Sequence, residues 1–186
     1  MTDPQVWEYV TSQVDVDSII DWIIMEGYST NSDTQQNLRY FRSPELGEGG
    51  WHFAYYDIDW GWWYNIQFKP MLSPKEKLQH TALTRNMMEN PEFRERFLTR
   101  LSELMATTLS NEHVHESINS YVVLLEPEVR RERDRWDLTY DGWLYRLQEM
   151  RDFLDDNHLQ KMINSLREYI GLTNEEARTY FGRWIQ

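Results

Sequence analysis

The sequence predicts a mainly α chain of the α+β class, a helical lobe carrying one small antiparallel hairpin. Three observations predict it. Apolar residues recur at three- and four-residue spacing through most of the chain. That period breaks once, between Leu38 and Asp59, where two aromatic-rich runs flank the turn-forming cluster SPELGEGG. Nine Trp and eleven Tyr supply large side chains for a core, so the composition is that of a folded chain. A length of 186 residues gives no reason to draw a boundary, and residues 1–186 read as a single domain.

In order, Pro4 to Tyr28 carries Trp7, Val10, Val14, Ile19, Ile20, Trp22, Ile23 and Ile24 at mostly helical spacing. Pro4 suits a first helical turn, and Asp15 or Asp17 can cap a second helix running to about Gly27. Two helices, or one kinked helix, are expected. The runs LRYFR and WHFAYYDID then read as a β-hairpin packed between helices, its polar ends displayed. The stretch after Asn65, with Pro70 and Pro74, is expected to wrap irregularly over the surface.

From about Leu78 the chain reads as helical. Asn90 caps a helix that begins at Pro91 and carries Phe93, Phe97, Leu98, Leu101, Leu104 and Met105 on one stripe. Asn111 is expected to cap the next, through Ile118, Tyr121, Val122 and Leu125, with Pro127 disturbing it. The charged segment RRERDRW precedes an amphipathic helix in DGWLYRLQEMRDFLDD, and another spans about His158 to Tyr169. Thr173 and Glu176 have the spacing of a capping box for a last helix.

The charge balance excludes some functions. With 31 acidic against 19 basic residues the net charge is −12, which repels nucleic acid and anionic membrane. No Cys means no disulfide and no thiolate nucleophile, and leaves the compartment open. MTDPQVWEYV lacks the pattern of a signal peptide, and no apolar run approaches the roughly 20 residues that span a bilayer.

Candidate chemistry centres on Asp57 and Asp59, two apart at the end of the second aromatic run. An EF-hand counted from Asp57 fails, because its sixth and twelfth positions are Trp62 and Phe68 rather than Gly and Glu. Two carboxylates can still hold magnesium if a phosphate and a third ligand, from Asn31, Asp33 or Asn37, complete the octahedron. A solvated turn with a capping Asp is the competing account. His113 and His115 diverge on a helix and lack the HExxH order, so a solvated helix start explains them better than zinc. Arg130, Arg131, Arg133 and Arg135 alternate with Glu132 and Asp134, a self-neutralising face. No G-x-S-x-G turn, Gly-rich phosphate loop or Walker motif is present.

The order N-S-D-x-x-x-N-L-R-Y-F-R, then G-G-W-H-F-A-Y-Y-D-I-D-W-G, then N-P-E-F-R-E-R-F resembles the C-terminal half of the spore-coat protein H (CotH) kinase family of atypical protein kinases. The segment INSYVVLLEPEVRRERDRW adds to the likeness, which covers about Asp15 to Phe181. The resemblance implies that Asp33 is the base accepting a Ser or Thr hydroxyl proton, that Asn37 and Asp57 are metal ligands, and that Asp59 assists. It implies magnesium or manganese with ATP as cofactor, and a protein substrate at a spore coat, a cell surface or outside the cell.

Two departures accompany it. Asn37 lies four residues after Asp33, where protein-kinase catalytic loops use five. In the family a nucleotide-clamping lobe precedes the catalytic loop, whereas only 32 residues precede Asp33 here, and they read as helices. The chain is therefore expected to be the C-terminal lobe of a longer domain, inactive alone, with the missing N-terminal lobe as a partner. The alternative is a non-catalytic binding or structural module of a coat or cell-surface protein, in which Trp60, Trp62, Trp63 and Tyr64 fill an interface or stack on sugar rings.

Overall fold

The computed structural model describes residues 1–43, 45, 50–76, 79–136 and 139–185. Most of the SPELGEGG cluster, the predicted helix start at Leu78 and the side chains of Arg130, Arg133 and Asp134 lie outside the described residues. The fold is α+β and mainly α, as the periodicity predicts: among the described residues there are nine helices and one two-stranded sheet. Two compact units are present, Met1–Ser102 with Leu159–Gln186, and Glu103–His158.

The first unit opens with α1 (Pro4–Gln13) and α2 (Val16–Ser29), two helices rather than one kinked helix. Asp3 caps the first through the N–H groups of Gln5 and Val6, and Asp15 caps the second through Ser18 N at 2.8 Å. Helix α2 is the apolar axis of the unit, with Ile19, Ile20, Trp22, Ile23 and Ile24 all buried. Strands β1 (Arg39–Phe41) and β2 (His52–Ala54) pair antiparallel in the register Arg39–Ala54, Tyr40–Phe53, Phe41–His52.

The hairpin differs from its expected position between helices. Strand β1 is exposed along its whole length, and β2 is half-buried against α2. Three-residue strands have one inward ring to offer, Phe53, which meets Trp22 at 5.4 Å. The other aromatics cover one another: Tyr40 lies edge-on to Trp51 at 5.4 Å and Phe41 stacks on His52 at 5.4 Å. The α1–α2 junction holds the ribbon in place. Trp51 N donates to Gln13 O at 2.7 Å, Asp15 N donates to Trp51 O at 3.1 Å, and Ser18 Oγ bridges both Phe53 N and Phe53 O.

The stretch around Pro70 is likewise not a surface wrap. Phe68, Met71 and Leu72 are fully buried, and residues 69–72 form the one-turn helix α3 (Lys69–Leu72), with Pro70 in its first turn where a missing N–H costs nothing. The spacing of FKPML, apolar at i, i+3 and i+4, is that of a helix face. Phe68 packs edge-on to Phe97 at 5.8 Å, and its N–H donates to Ser165 Oγ at 3.2 Å. Gly27 makes this seat possible, since a Cβ there would fall 2.3 Å from the Phe68 ring. Helix α4 (Gln79–Met88) packs on α3, with Thr81 and Thr84 hydroxyls donating to Pro70 O and Met71 O.

Asn90 caps α5 (Pro91–Ala106) by accepting from Glu92 N and Phe93 N, and the predicted stripe is buried except for half-exposed Leu104. Helices α8 (His158–Ile170) and α9 (Asn174–Phe181) return to this unit, the latter with the predicted Thr173–Glu176 capping box. Arg94 forks onto Glu176 at 2.7 and 3.0 Å and reaches Ile170 O at 2.9 Å. That guanidinium holds the Glu176 carboxyl down at about 2.

In the second unit α6 (Asn111–Trp136) pairs with α7 (Tyr140–Asp155). Two expectations change here. Ser110 is the cap, accepting from His113 N, and Asn111 is the first helical residue. The helix also continues past Leu125 and Pro127 through RRERDRW to Trp136, and Pro127, lacking an N–H, leaves Val123 O without its i+4 donor. His115 pairs with Asp155 at 2.8 Å, not with His113.

Candidate functional site

The site is built on the C-terminus of α2. An α-helix ends with carbonyls that have no intrahelical partner. Here Trp62 supplies two donors: its backbone N–H bonds Ser29 O at 2.6 Å and its indole Nε1 bonds Tyr28 O at 3.1 Å. Thr30 caps the helix in the left-handed region at φ 52°, and the chain enters a run of turns from Asn31. Two segments far apart in sequence thus hang from one helix end.

The first segment, residues 31–37, is tightly wound. Asn31 Oδ1 accepts from Asp33 N at 3.0 Å, an Asx-type turn. Asp33 O then accepts from Gln36 N at 3.0 Å and Asn37 N at 3.2 Å. That helix-like turn sets side chains four apart on one side. Asn37 Nδ2 consequently donates to Asp33 Oδ2 at 3.2 Å, so the four-residue spacing brings the two groups together. Asn37 is buried and Asp33 half-buried.

The second segment meets the first through its backbone. Asn37 Nδ2 also lies 3.4 Å from Asp57 O. Asp57 sits at φ 55°, a left-handed conformation that Asp tolerates better than most residues, with its side chain in the exposed zone. Asp59 is exposed two residues on, and no hydrogen bond or ion pair among the described residues engages either carboxylate. A turn closed by Gly61 N to Ile58 O at 2.8 Å follows. A Cβ at Gly61 would meet Ile58 O at 2.9 Å and Ser29 O at 3.1 Å, which is why a glycine stands there.

Beneath both segments lies a polar network absent from the sequence expectations. Glu26 is buried on α2, and burial pushes its carboxyl above the usual range, opposed by the polar groups of Thr34, Asn31 and Trp22 that face it. Thr34 Oγ1 is 2.9 Å from Glu26 Oε2 and 2.9 Å from Asn31 O. Burial also pushes the Tyr55 hydroxyl up to about 12, with a hydrogen bond to Ser29 opposing it and the Glu26 charge reinforcing it. Sequence did hold a signal for Glu26, a lone acid on the otherwise apolar face of IIDWIIMEGY.

Among the described residues no three His, Cys, Asp or Glu side chains group closely enough to hold a metal by themselves. The candidate donors, the Asn37 side-chain carbonyl and the Asp57 and Asp59 carboxylates, are all oxygen. Such a set suits a hard cation that brings phosphate and water ligands with it.

A model of the CotH kinase protein family matches residues 2–175. The chain belongs to the CotH kinase family. No curated protein and no solved structure gives a match. Within a CotH kinase-related chain the aromatic residues divide in two. Trp62 is an internal anchor, edge-on to Tyr28 at 5.9 Å, while Trp60 and Trp63 are 49% and 56% exposed and lie 6.0 Å apart. No helix among the described residues is long and apolar enough to cross a membrane.

Proposed function

We propose that this chain carries the catalytic-loop half of an ATP-dependent phosphoryl-transfer site acting on Ser or Thr hydroxyls of a protein substrate. The contact that joins Asp33 to Asn37 and Asn37 to the Asp57 backbone carries this reading. Asp33 receives the proton of the attacking hydroxyl as its oxygen bonds the γ-phosphorus and the bond to the β-phosphate oxygen breaks. Asn37, its amide nitrogen turned to Asp33 and Asp57, presents its carbonyl oxygen, and Asp57 presents a carboxylate; these two would hold magnesium or manganese, with Asp59 adding negative charge. The cation, when bound with ATP, neutralises phosphate charge. Positioning of the nucleotide falls, in the family's plan, to a clamping lobe N-terminal to the catalytic loop. A spore coat, a cell surface or the extracellular space is the setting that the resemblance supports.

A second reading rests on Trp60 and Trp63, whose exposed rings suit a coat or cell-surface partner in a non-catalytic module.

Thermal melting with manganese, with manganese plus ATP and with neither separates the readings. Saturation at about a hundredfold the dissociation constant adds about 2.7 kcal/mol, a rise on the order of 5 to 11 °C for a chain of this size. The expected rise disappears in Asp57→Asn. No rise in the unsubstituted chain overturns the claim that the half-site is formed here and favours the second reading.

A further inference from the structure

We infer that Glu26 is a positioning residue for the candidate catalytic loop, acting through Thr34 and Asn31 to set where Asp33 and Asn37 point. The inference rests on the assignment of roles to Asp33 and Asn37 above. Glu26 has a reason to be noticed: it is 1% exposed, and among the described residues no cation pairs with it. A buried carboxyl without a countercharge is costly and is retained only where its hydrogen bonds do something.

Its bonds converge on one place. Thr34 follows Asp33 directly, and its Oγ1 reaches Glu26 Oε2 and Asn31 O at 2.9 Å each. A hydroxyl has one hydrogen and can donate to only one acceptor. Both contacts are hydrogen bonds at once when Glu26 carries a proton and donates to Thr34, which then donates to Asn31 O. Asn31 turns its amide toward the same carboxyl, in looser geometry than a full hydrogen bond, while its Oδ1 accepts from Asp33 N. Asp33 is therefore flanked by residues that both lean on Glu26. A carboxyl on α2, four residues after Trp22 and inside the apolar face, cannot shift without repacking the helix. Thus it passes the rigidity of α2 to the loop.

The test uses amide hydrogen exchange on the whole chain, read at Gln36 and Asn37, whose N–H groups bond Asp33 O, with Ile23 and Ile24 as internal references. Thr34→Val and Glu26→Ala should speed exchange at Gln36 and Asn37 at least about tenfold while Ile23 and Ile24 change less than about twofold. Thr34→Ser, which keeps the hydroxyl, and Glu26→Gln, whose amide can donate to Thr34 as the acid does, should restore protection. If Glu26→Ala loosens the references too, Thr34→Val decides the matter, because it leaves α2 untouched. Unchanged loop exchange in Thr34→Val, or no rescue by Thr34→Ser and Glu26→Gln, overturns the inference. Manganese affinity measured by spin resonance on the same proteins judges the other reading separately: an unsubstituted chain that binds no manganese removes the metal site and leaves the exchange result to decide the positioning role.

Discussion

The two segments that meet at Asn37 are held by opposite means. Residues 31–37 are fastened from below, by side chains reaching a buried carboxyl, and their own backbone follows an ordinary helix-like turn. Residues 57–62 are fastened by backbone and indole donors to the end of α2, and their backbone pays in unusual conformations, with Asp57 at φ 55° and Trp62 at φ 58°. In the first, Asn31, Thr34 and Asn37 are buried and Asp33 is half-buried and bonded to Asn37; the second leaves two carboxylates exposed and unengaged among the described residues. A site that must bind a charged ligand needs both kinds of segment, one fixed to orient and one open to receive.

The strongest way to break this contrast is Trp62→Ala. It removes the edge-on contact with Tyr28 and the indole bond to Tyr28 O, and should cost about 2 to 3 kcal/mol in urea unfolding. Trp60→Ala, which removes an exposed ring, should stay within about 0.5 kcal/mol. Equal costs would show that the second segment is not hung on Trp62.

A smaller effect sharpens the open side of the comparison. Asp57→Gly relieves a left-handed residue and should raise stability by about 0.5 to 1 kcal/mol, while abolishing the melting shift with manganese and ATP. Gain in one measurement and loss in the other is the signature of strain kept for a ligand. A stability loss instead would mean that the carboxylate supports the turn itself.

The smallest is a slope with pH. Burial raises the folded-state Glu26 value above 4.5, so the stability it contributes is fully present below that value and is lost as pH rises through the raised one. Glu26→Gln cannot titrate. The stability difference, variant minus unsubstituted, should therefore climb as melts move from about pH 4 to about pH 8. A flat difference would place the Glu26 carboxyl back in the ordinary carboxylate range.

Local chemistry made much of the fold legible. Asp15, Asn90 with Pro91, and Thr173 with Glu176 announce helix starts by groups that act within four residues, and each starts a helix as expected. The pairing of the aromatic runs was legible for the same reason, as alternation and turn chemistry act over short range. What sequence hid was decided at long range. Phe68 is buried because Gly27, forty-one positions earlier, leaves a seat for its ring. Trp62 reads as a possible binding ring in sequence, but its indole and backbone N–H groups bond the Tyr28 and Ser29 carbonyls at the end of α2. The Asp33–Asn37 spacing read as a departure from kinase loops, and the turn that unites the two side chains depends on hydrogen bonds that no spacing rule contains.

The seam between the α1–α2 junction and β2 has one more implication, for how this surface can change over generations. Trp51 and Phe53 are stitched to Gln13, Asp15 and Ser18 just before the chain turns toward Asp57. Registration is therefore reset downstream of the first strand. Gly50, where a Cβ would meet Asp15 N at 2.7 Å, belongs to the same seam, so side chains on the exposed strand β1 can be exchanged among relatives, or by an engineer, without retuning the acidic turn.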